Sequence, residues 1–265
     1  MPENLQTFQA HPRLFEDNHK PSANQPHSTL NSRSWPLISF DNTIQNVCCF
    51  SFLLGCSFCA NLLMLLLHRN GKWNRLNIYL ISLSLFHLFE FLTTAIWNPT
   101  RVTIDSFLFN NGSSYWFSQL FCLLEHIITQ TYFPSNNSPF NQTIKTVGLT
   151  ILIFSQTIRT LAMITAAQSF NHRVSDHLQK LDDHVLVTNG IYRFFRHPSY
   201  FGFFWWTLGI QIYLQNWISL TAFSFILWKF FYHRIQGEEK HLIRFFQQAY
   251  LDYKQTTPTG IPFIK

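Results

Sequence analysis

Two long apolar runs, Val47–Leu67 and Ile78–Trp97, constrain the fold of this chain more than any other feature. Each run carries few or no formal charges over about 20 residues, the length that an α-helix needs to cross a bilayer. Only 12% of the residues are charged and 47% are apolar, whereas a soluble domain has about 25% charged residues. Such a chain has too few polar groups to cover a globular surface. We therefore expect an all-α polytopic membrane protein.

Further apolar segments bring the expected number of transmembrane helices to about six. The third segment carries Glu125 and His126, and the fourth carries Arg159 toward its C-terminal half. A linker rich in proline and asparagine, Pro134–Gln142, separates these two segments and predicts a strong break. The four spans predicted before residue 171 are Ile44–Leu67, Leu76–Trp97, Trp116–Phe133 and Thr146–Phe170.

The aromatic stretch Tyr200–Tyr232 predicts a tight helical hairpin, because Gln215 and Asn216 interrupt it near its middle. Each half is close to the lower length limit for crossing, so we expect tilt or partial burial against other helices. From His233 to Tyr253 apolar residues recur at helical spacing among charged ones. This pattern predicts an amphipathic cytosolic helix after the hairpin.

The predicted organisation has three parts: a disordered polar tail at residues 1–34, transmembrane helices at 35–170, and a C-terminal region at 171–265. The tail lacks the apolar core of a signal peptide. Six spans place both termini on one side, and the basic connector and C-terminal helix make that side cytosolic. Arg69, Lys72 and Arg75 then lie on the luminal side, against the positive-inside tendency, unless the third segment does not span. Basic loops of this kind explain the net charge of +6 better than nucleic-acid binding does.

Two polar clusters flank the predicted hairpin, which returns them to the same membrane face. The first contains R-H-P-S-Y at Arg196–Tyr200. Pro198 suits the first turn of a helix, with His197 as its cap, and the N–H groups of Ser199 and Tyr200 then form an anion-binding helix end. The alternative is only a helix start, with Tyr200 as an anchor at the membrane interface.

The second cluster is R-I-Q-G-E-E at Arg234–Glu239. If the helix continues through it, Arg234 and Glu238 lie four residues apart and share a face. Arg234 then binds a substrate carboxylate bidentately, and Glu238 takes up a ligand ammonium group. A plain ion pair within the helix is the alternative. Glu239 is expected to point elsewhere, as a solvated charge or as a support for Arg234.

The C-terminal half resembles the isoprenylcysteine carboxyl methyltransferase family. Five ordered blocks carry the resemblance, whereas the N-terminal spans match only in hydrophobic character. The blocks are R-T-L-A-M at Arg159–Met163, L-V-T-N-G-I-Y at Leu186–Tyr192, F-R-H-P-S-Y-F-G at Phe195–Gly202, F-F-Y-H-R-I-Q-G-E-E at Phe230–Glu239 and P-T-G-I-P-F-I at Pro258–Ile264.

The resemblance implies an enzyme of the endoplasmic reticulum membrane whose active site faces the cytosol. It implies that S-adenosylmethionine methylates the C-terminal carboxylate of prenylated cysteine, farnesyl or geranylgeranyl, in C-a-a-X proteins that have lost their last three residues. The expected partners are these proteins and the lipid bilayer, with no nucleic acid and no metal. Residues 171–265 become the catalytic region, with a cofactor connector, the hairpin and the C-terminal helix.

The resemblance also assigns roles to individual residues. Arg234 and Glu238 are implied to be catalytic, Arg234 by binding the substrate and Glu238 by contacting the cofactor as well. A polar side chain earlier in the connector completes the cofactor site, and either Gln179 or His177 fills that role. The implied cofactor-binding residues are Gln179, His184, Val185, Leu186, Val187, Tyr192, His197, Pro198, Ser199, Tyr200 and Glu238.

Three other functions are compatible with parts of the sequence. Phosphatidylethanolamine N-methyltransferases share a similar Arg-His-Pro-x-Tyr motif and a Glu-Glu pair, but an amine acceptor does not need Arg234. An NADPH-dependent sterol reductase needs a phosphate site, for which Arg193 and Arg196 are thin support. In a non-catalytic membrane protein or channel, Glu125, His126 and Arg159 would line a pore. The favoured interpretation is that these three residues satisfy one another inside the bundle, or that Arg159 lies close enough to the interface to snorkel.

Overall fold

The computed structural model describes residues 41–68, 71–134, 138–170 and 185–265. Within these ranges the chain is helical and contains no β-strand, as expected for an all-α protein. The predicted tail at residues 1–34 lies outside the described residues. The α-helices of the described part are α1 (Ile44–Leu67), α2 (Asn74–Trp97), α3 (Ser113–Tyr132), α4 (Pro139–Ala166), α5 (Pro198–Leu214), α6 (Trp217–Phe246) and α7 (Gln248–Thr256).

Helices α1, α2 and α4 are the three in the described part of the chain that are long and apolar enough to cross a membrane. Helix α1 starts at the predicted residue because the Thr43 side chain accepts a hydrogen bond from the Asn46 N–H. It packs along α2 and exposes apolar side chains such as Phe52, which is 71% exposed. An exposed apolar face of this length suits contact with lipid. The total of six spans stays a prediction.

Helix α4 begins earlier than the sequence pattern predicts. Pro139 occupies its first turn and the Ser138 side chain caps it by accepting from the Asn141 N–H at 3.3 Å. Proline has no N–H to lose at this position, so it starts the helix instead of breaking it. The predicted break from Pro134 to Gln142 is therefore wrong beyond Ser138.

Glycines let α4 and α5 approach closely. A Cβ atom on Gly202 of α5 would lie 2.7 Å from the Arg159 Cβ of α4, and one on Gly209 would lie 2.9 Å from the Leu152 backbone nitrogen. Gly148 of α4 leaves no room for a side chain against the Tyr213 backbone. Small residues allow such backbone contact between membrane helices. The packing brings Arg159 against the start of α5.

The predicted hairpin is confirmed. Helix α5 ends at Leu214, Gln215 adopts a left-handed conformation (φ 61°), and α6 starts at Trp217. Glu125 of α3 accepts hydrogen bonds from the Ile218 N–H at 2.9 Å and the Ser219 N–H at 2.7 Å. Its carboxylate therefore satisfies the free backbone donors at the start of α6.

The second arm of the hairpin does not end where the sequence pattern predicts. Helix α6 continues for 30 residues, from Trp217 to Phe246, and the chain turns at Gln247 (φ 47°) before α7. A separate amphipathic helix starting at His233 is thus wrong, because the helical hydrogen bonding continues past Tyr232 and through Gly237 to Phe246. The charged half of α6 is an extension of the apolar half.

The last nine residues, Thr257–Lys265, form a C-terminal strap that packs against the outside of the hairpin. Ile261 and Ile264 are buried against α5 and α6. Two indole N–H groups hold the strap, Trp205 by donating to the Gly260 carbonyl at 3.3 Å and Trp228 by donating to the Pro262 carbonyl at 2.9 Å.

Candidate active site

A cavity of about 500 Å³ lies between the two hairpin arms and helices α2, α3, α4 and α7. Its polar end is lined by Tyr192, His197, Tyr200, Arg234 and Glu238, and its apolar end by Trp206, Ile210, Phe223 and Leu227. The segment from Val185 to the start of α5 forms part of the wall at the polar end. This cavity has the size and mixed lining of a small-molecule site.

The cavity brings together all predicted site residues that the structure describes. Gln179, its alternative His177, and His184 lie outside the described residues. The binding roles of the others stay predictions, but their positions agree with a shared site. The predicted residues that line the cavity are Val185, Leu186, Val187, Tyr192, His197, Pro198, Ser199, Tyr200, Arg234 and Glu238.

Arg234 and Glu238 share one face of α6, as predicted, and Tyr200 joins them. The Arg234 Nε donates to the Tyr200 hydroxyl oxygen at 3.0 Å, and that hydroxyl donates to Glu238 Oε2 at 2.6 Å. The Arg234 guanidinium also lies 5.6 Å from the Tyr200 ring centroid and 5.9 Å from that of Phe230. Tyr200 thus fixes both charged groups at the cavity wall, and this bridge was not expected from the sequence.

The start of α5 has the predicted cap but not the predicted row of free donors. His197 is the N-cap and Pro198 occupies the first turn. The Tyr200 N–H donates to the His197 carbonyl at 3.1 Å, so it is already used. The expectation that this N–H binds an anion is wrong, because a tight first turn satisfies it internally. The His197 ring instead stacks on the Tyr200 ring, with centroids 5.4 Å apart and planes within 6°.

Glu239 is buried, which corrects the prediction that it is a solvated charge or a support for Arg234. It is 2% exposed and accepts from Arg196 Nε at 2.6 Å, His197 Nε2 at 3.2 Å and Lys254 Nζ at 2.5 Å. Burial by itself raises the pKa of this carboxyl group. The hydrogen bonds from His197, Lys254 and Arg196 outweigh burial and lower the pKa to about 2. Glu239 is therefore ionised at neutral pH.

Arg159 is also buried, and its partner was missed in the sequence. Its guanidinium pairs with both carboxylate oxygens of Glu90 on α2, and it donates to the Ser199 carbonyl and hydroxyl oxygens at 3.0 Å each. It does not pair with Glu125 or His126, so the favoured reading that those three satisfy one another is wrong. A lone carboxylate within an apolar span, such as Glu90, is the signal that predicts a buried cationic partner.

Three tyrosines complete the polar end. The Tyr253 hydroxyl of α7 donates to the Tyr192 carbonyl at 2.5 Å, and Tyr250 lies beside them. Burial raises the pKa of Tyr192, Tyr250 and Tyr253 well above the ordinary tyrosine value. These hydroxyls stay neutral at physiological pH, and that of Tyr253 acts as a hydrogen-bond donor. The family resemblance had pointed to Tyr192, whereas Tyr250 and Tyr253 were visible in the sequence only as part of the amphipathic pattern.

The arrangement suits two different ligands that meet in one cavity. At the polar end, the carboxylate of Glu238 and several aromatic faces favour a cationic group. Arg234 offers a guanidinium to an anion beside them. The apolar end, lined by Trp206, Phe223 and Leu227, favours a long hydrocarbon group.

Comparison with known proteins agrees with this geometry. A sequence profile of the Isoprenylcysteine carboxyl methyltransferase (ICMT) family matches residues 147–244. The protein-S-isoprenylcysteine O-methyltransferase of Saccharomyces cerevisiae is 45% identical over 197 residues, which are 73% of this chain and 82% of the relative. The human protein of the same name is 39% identical over 218 residues, covering 82% of this chain and 73% of the relative.

A solved structure shares the fold. It is described as the eukaryotic intramembrane Ras methyltransferase ICMT, and it superimposes with a TM-score of 0.74 at 38% sequence identity. The match covers 80% of this chain and 74% of the solved chain. Since relatives with 38–45% identity extend over most of both chains, the protein belongs to the isoprenylcysteine carboxyl methyltransferase family.

Proposed function

We propose that this protein methylates the C-terminal α-carboxylate of prenylated cysteine, with S-adenosylmethionine as the methyl donor. The observation that carries the proposal is the single cavity that joins the Arg234–Tyr200–Glu238 group to an apolar end. A prenylcysteine has a matching pair of features, an anion next to a hydrocarbon chain. The names of the relatives support the same reaction.

The polar end supplies the features that the donor requires. Glu238 suits the ammonium group of S-adenosylmethionine, and the rings of Tyr192, Tyr200 and Tyr250 offer faces to a cation. Val185, Leu186 and Val187 provide an apolar wall for the adenine ring. The residues present therefore fit the donor.

The acceptor lies along α6 in this proposal. Phe223, Leu227 and Arg234 all line the cavity, and from Phe223 to Arg234 the helix rises about 16 Å. The carboxylate lies at Arg234 and the prenyl chain extends past Leu227 toward Phe223. Charge and hydrophobic burial thus orient the acceptor in one direction.

The chemistry needs orientation more than proton transfer. S-adenosylmethionine, when bound, supplies a methyl group activated by a sulfonium. A carboxylate oxygen of the acceptor forms the new O–C bond in line as the S–C bond breaks, and the sulfur retains the bonding electrons. The α-carboxyl group has a pKa of about 3.5, so it is already ionised and needs no general base. Arg234 holds it in position, and the walls of the cavity exclude water from it.

The membrane setting follows from the same proposal. The acceptor is a C-a-a-X protein that has lost its last three residues, and its prenyl group reaches the cavity from the bilayer. The polar end faces the cytosol, where S-adenosylmethionine is found, and the protein resides in the endoplasmic reticulum membrane. The basic residues of the charged half of α6, Lys240 and Arg244, agree with a cytosolic side.

The alternative of a phosphatidylethanolamine N-methyltransferase has less support. An amine acceptor needs no cation beside the reacting group, whereas Arg234 lies at the cavity wall next to Glu238. The relatives are protein-S-isoprenylcysteine O-methyltransferases by name, and the family profile is that of carboxyl methyltransferases. A sterol reductase loses its proposed phosphate site because Arg196 is buried against Glu239.

The test is the turnover of N-acetyl-farnesylcysteine by membranes that contain the protein and radiolabelled S-adenosylmethionine. The wild-type protein should form a base-labile methyl ester. Replacing Arg234 by alanine should lower kcat/KM about 100-fold, because a buried charge-assisted contact is worth about 2–5 kcal/mol. Arg244→Ala, an exposed change on the same helix, is the matched control and should stay within about twofold. Near-normal turnover by Arg234→Ala would contradict the assignment of this residue.

A further inference from the structure

Helix α6 carries a second, open groove of about 690 Å³ on its outer face, which we call the α6 groove. Two rows of side chains spaced four residues apart form its walls, as neighbouring ridges of a helix do. One row is exposed and contains Phe225, Lys229 and His233. The other row contains Ile226, Phe230 and Arg234, which also line the central cavity. The α6 groove thus faces the surroundings of the protein and shares a wall with the cavity.

The α6 groove combines apolar walls with positive charge that the protein itself does not neutralise. Its described lining residues include Lys229, His233 and Arg234 but no acidic residue, and the sequence from Phe225 to Gly237 contains none either. No carboxylate in the described part of the chain pairs with Lys229. A cation inside an apolar stretch costs free energy unless it reaches water or an anion. The groove is therefore suited to a molecule that is both anionic and apolar.

Aromatic residues beside the α6 groove indicate the depth at which its basic end lies in a membrane. Trp228 and Tyr232 stack one turn apart, with ring centroids 5.5 Å apart and planes within 19°. The Tyr232 ring also meets the His233 ring edge-on at 5.4 Å. On the neighbouring C-terminal strap, Phe263 is 91% exposed. Tryptophan and tyrosine concentrate at the boundary between membrane and water, so this turn of α6 lies at the level of the lipid headgroups.

The opposite end of the α6 groove then lies among the acyl chains. Phe225 is eight residues before His233, which is a rise of about 12 Å toward the hairpin turn. The ammonium group of Lys229 reaches the headgroup level because its long side chain extends along the helix toward the polar region. Basic groups at headgroup depth above apolar walls match the two parts of a phospholipid. A soluble anion would leave the apolar walls unmatched.

We propose that the α6 groove is a binding site for an anionic phospholipid of the surrounding bilayer. The lipid phosphate accepts hydrogen bonds from the Lys229 ammonium group and from a ring N–H of His233, and an acyl chain lies along Phe225 and Ile226. This binding is separate from the methyl transfer, because neither Lys229 nor His233 lines the central cavity. The proposed acceptor meets Arg234 from the cavity side, where Tyr200 contacts its Nε atom.

The experiment measures lipid binding to the purified full-length protein by native mass spectrometry. Dioleoyl phosphatidylglycerol and dioleoyl phosphatidylcholine are added at equal concentrations, so the two lipids share their acyl chains and differ in net charge. We expect wild-type protein to retain phosphatidylglycerol about fivefold more often, which is the effect of one lysine near an anionic headgroup. Phosphatidylglycerol should also raise the melting temperature of the wild-type protein more than phosphatidylcholine does.

Variants on the exposed row separate the charge from the apolar wall. Lys229→Gln/His233→Gln should lower the preference for phosphatidylglycerol to less than twofold, because the headgroup loses both donors of the groove. Phe225→Ala should reduce the retention of both lipids about threefold and leave their ratio unchanged, since it removes apolar contact only. Lys240→Gln is the matched control, because Lys240 is an exposed cation of the same helix outside the groove. It should keep the fivefold preference.

Three results would overturn the proposal. One is equal retention of the two lipids by wild-type protein. Another is a loss of preference in Lys240→Gln as large as in the double variant, which would show a general attraction between a basic surface and anionic lipid. The third is displacement of phosphatidylglycerol by N-acetyl-farnesylcysteine, which would make the groove part of the acceptor path. Because no methyl ester is measured, a failure of the proposed function leaves the lipid experiment unaffected.

Discussion

Behind the polar end of the cavity, Glu239 accepts hydrogen bonds of 2.5 to 3.2 Å from Arg196, His197 and Lys254. At the apolar end, Trp206, Ile210 and Phe223 pack with Phe86 in a hydrophobic cluster. The polar contacts depend on charge and geometry, so a single change in protonation alters them. The apolar contacts depend on volume and shape, and they tolerate changes of similar size. The proposed function uses this difference, with a charged donor at the polar end and a flexible hydrocarbon chain at the apolar end.

The largest expected effect is a loss of stability at the buried ion pair of Arg159 and Glu90, which supports the polar end of the cavity from within the bundle. Arg159→Met removes the guanidinium that binds both carboxylate oxygens of Glu90, which is 1% exposed. We expect a loss of about 3–5 kcal/mol in the free energy of unfolding, because a charge is left buried without its partner. Thermal unfolding in detergent micelles measures this loss.

The double variant Glu90→Leu/Arg159→Met tests the reason for that loss. It removes both charges, so it should recover a large part of the lost stability. Equal losses in the single and the double variant would show that packing around Arg159 matters more than the ion pair.

The next effect is the pH dependence of the stability that Glu239 and its three cationic partners provide. The pKa of Glu239 in the folded protein is lowered to about 2, below the ordinary glutamate value of about 4.3. A lowered pKa contributes stability that is fully present above pH 4.3 and is lost as the pH falls toward 2. The contribution is on the order of 3 kcal/mol. The melting temperature of wild-type protein in detergent should therefore fall below pH 4.3, and that of Glu239→Gln should fall less steeply. Parallel curves for the two proteins would contradict this assignment.

The smallest effect is expected on the KM for the acceptor, at the apolar end of the cavity, where side-chain volume determines how well the prenyl chain fits. Leu227 lies two turns from Arg234 and lines the cavity, so Leu227→Trp places a larger side chain in the path of the prenyl chain. We expect the KM for N-acetyl-farnesylcysteine to rise about tenfold, or 1.4 kcal/mol, with the donor KM within twofold. Ile218→Trp, at a 66% exposed position of the same helix, is the control. A donor KM that rises as much as the acceptor KM would remove the distinction between the two ends.

Local patterns were sufficient for the start of α1 and for the turn of the hairpin. Both depend on neighbouring residues, which are visible in the sequence. The end of the second hairpin arm was wrong, because α6 continues past Tyr232 to Phe246. The errors came where two local signals competed. Pro139 was read as a break although its place in the first turn of α4 makes it a helix start.

Contacts between distant segments were beyond the reach of sequence patterns. The partners of Glu239 lie 15 to 43 positions away along the chain, and Glu90 lies 69 positions from Arg159. Charge and spacing alone indicated that Glu239 points away from Glu238, as a solvated charge or as a support for Arg234, because adjacent glutamates on a helix point in different directions. Only the packing of α7 beside α6 shows that the side of α6 on which Glu239 lies is buried.

The sequence by itself determined that the chain is helical, that long apolar segments lie in a membrane, and that Arg234 and Glu238 share one helix face. These properties follow from hydrophobicity and from helical periodicity, which are local. The tertiary structure decided that Tyr200 bridges Arg234 and Glu238, that Glu239 is buried behind His197, and that Arg159 pairs with Glu90. Those facts depend on how close α4, α5 and α7 come to their neighbours, and that distance is set by glycines and side-chain volumes acting across the whole fold.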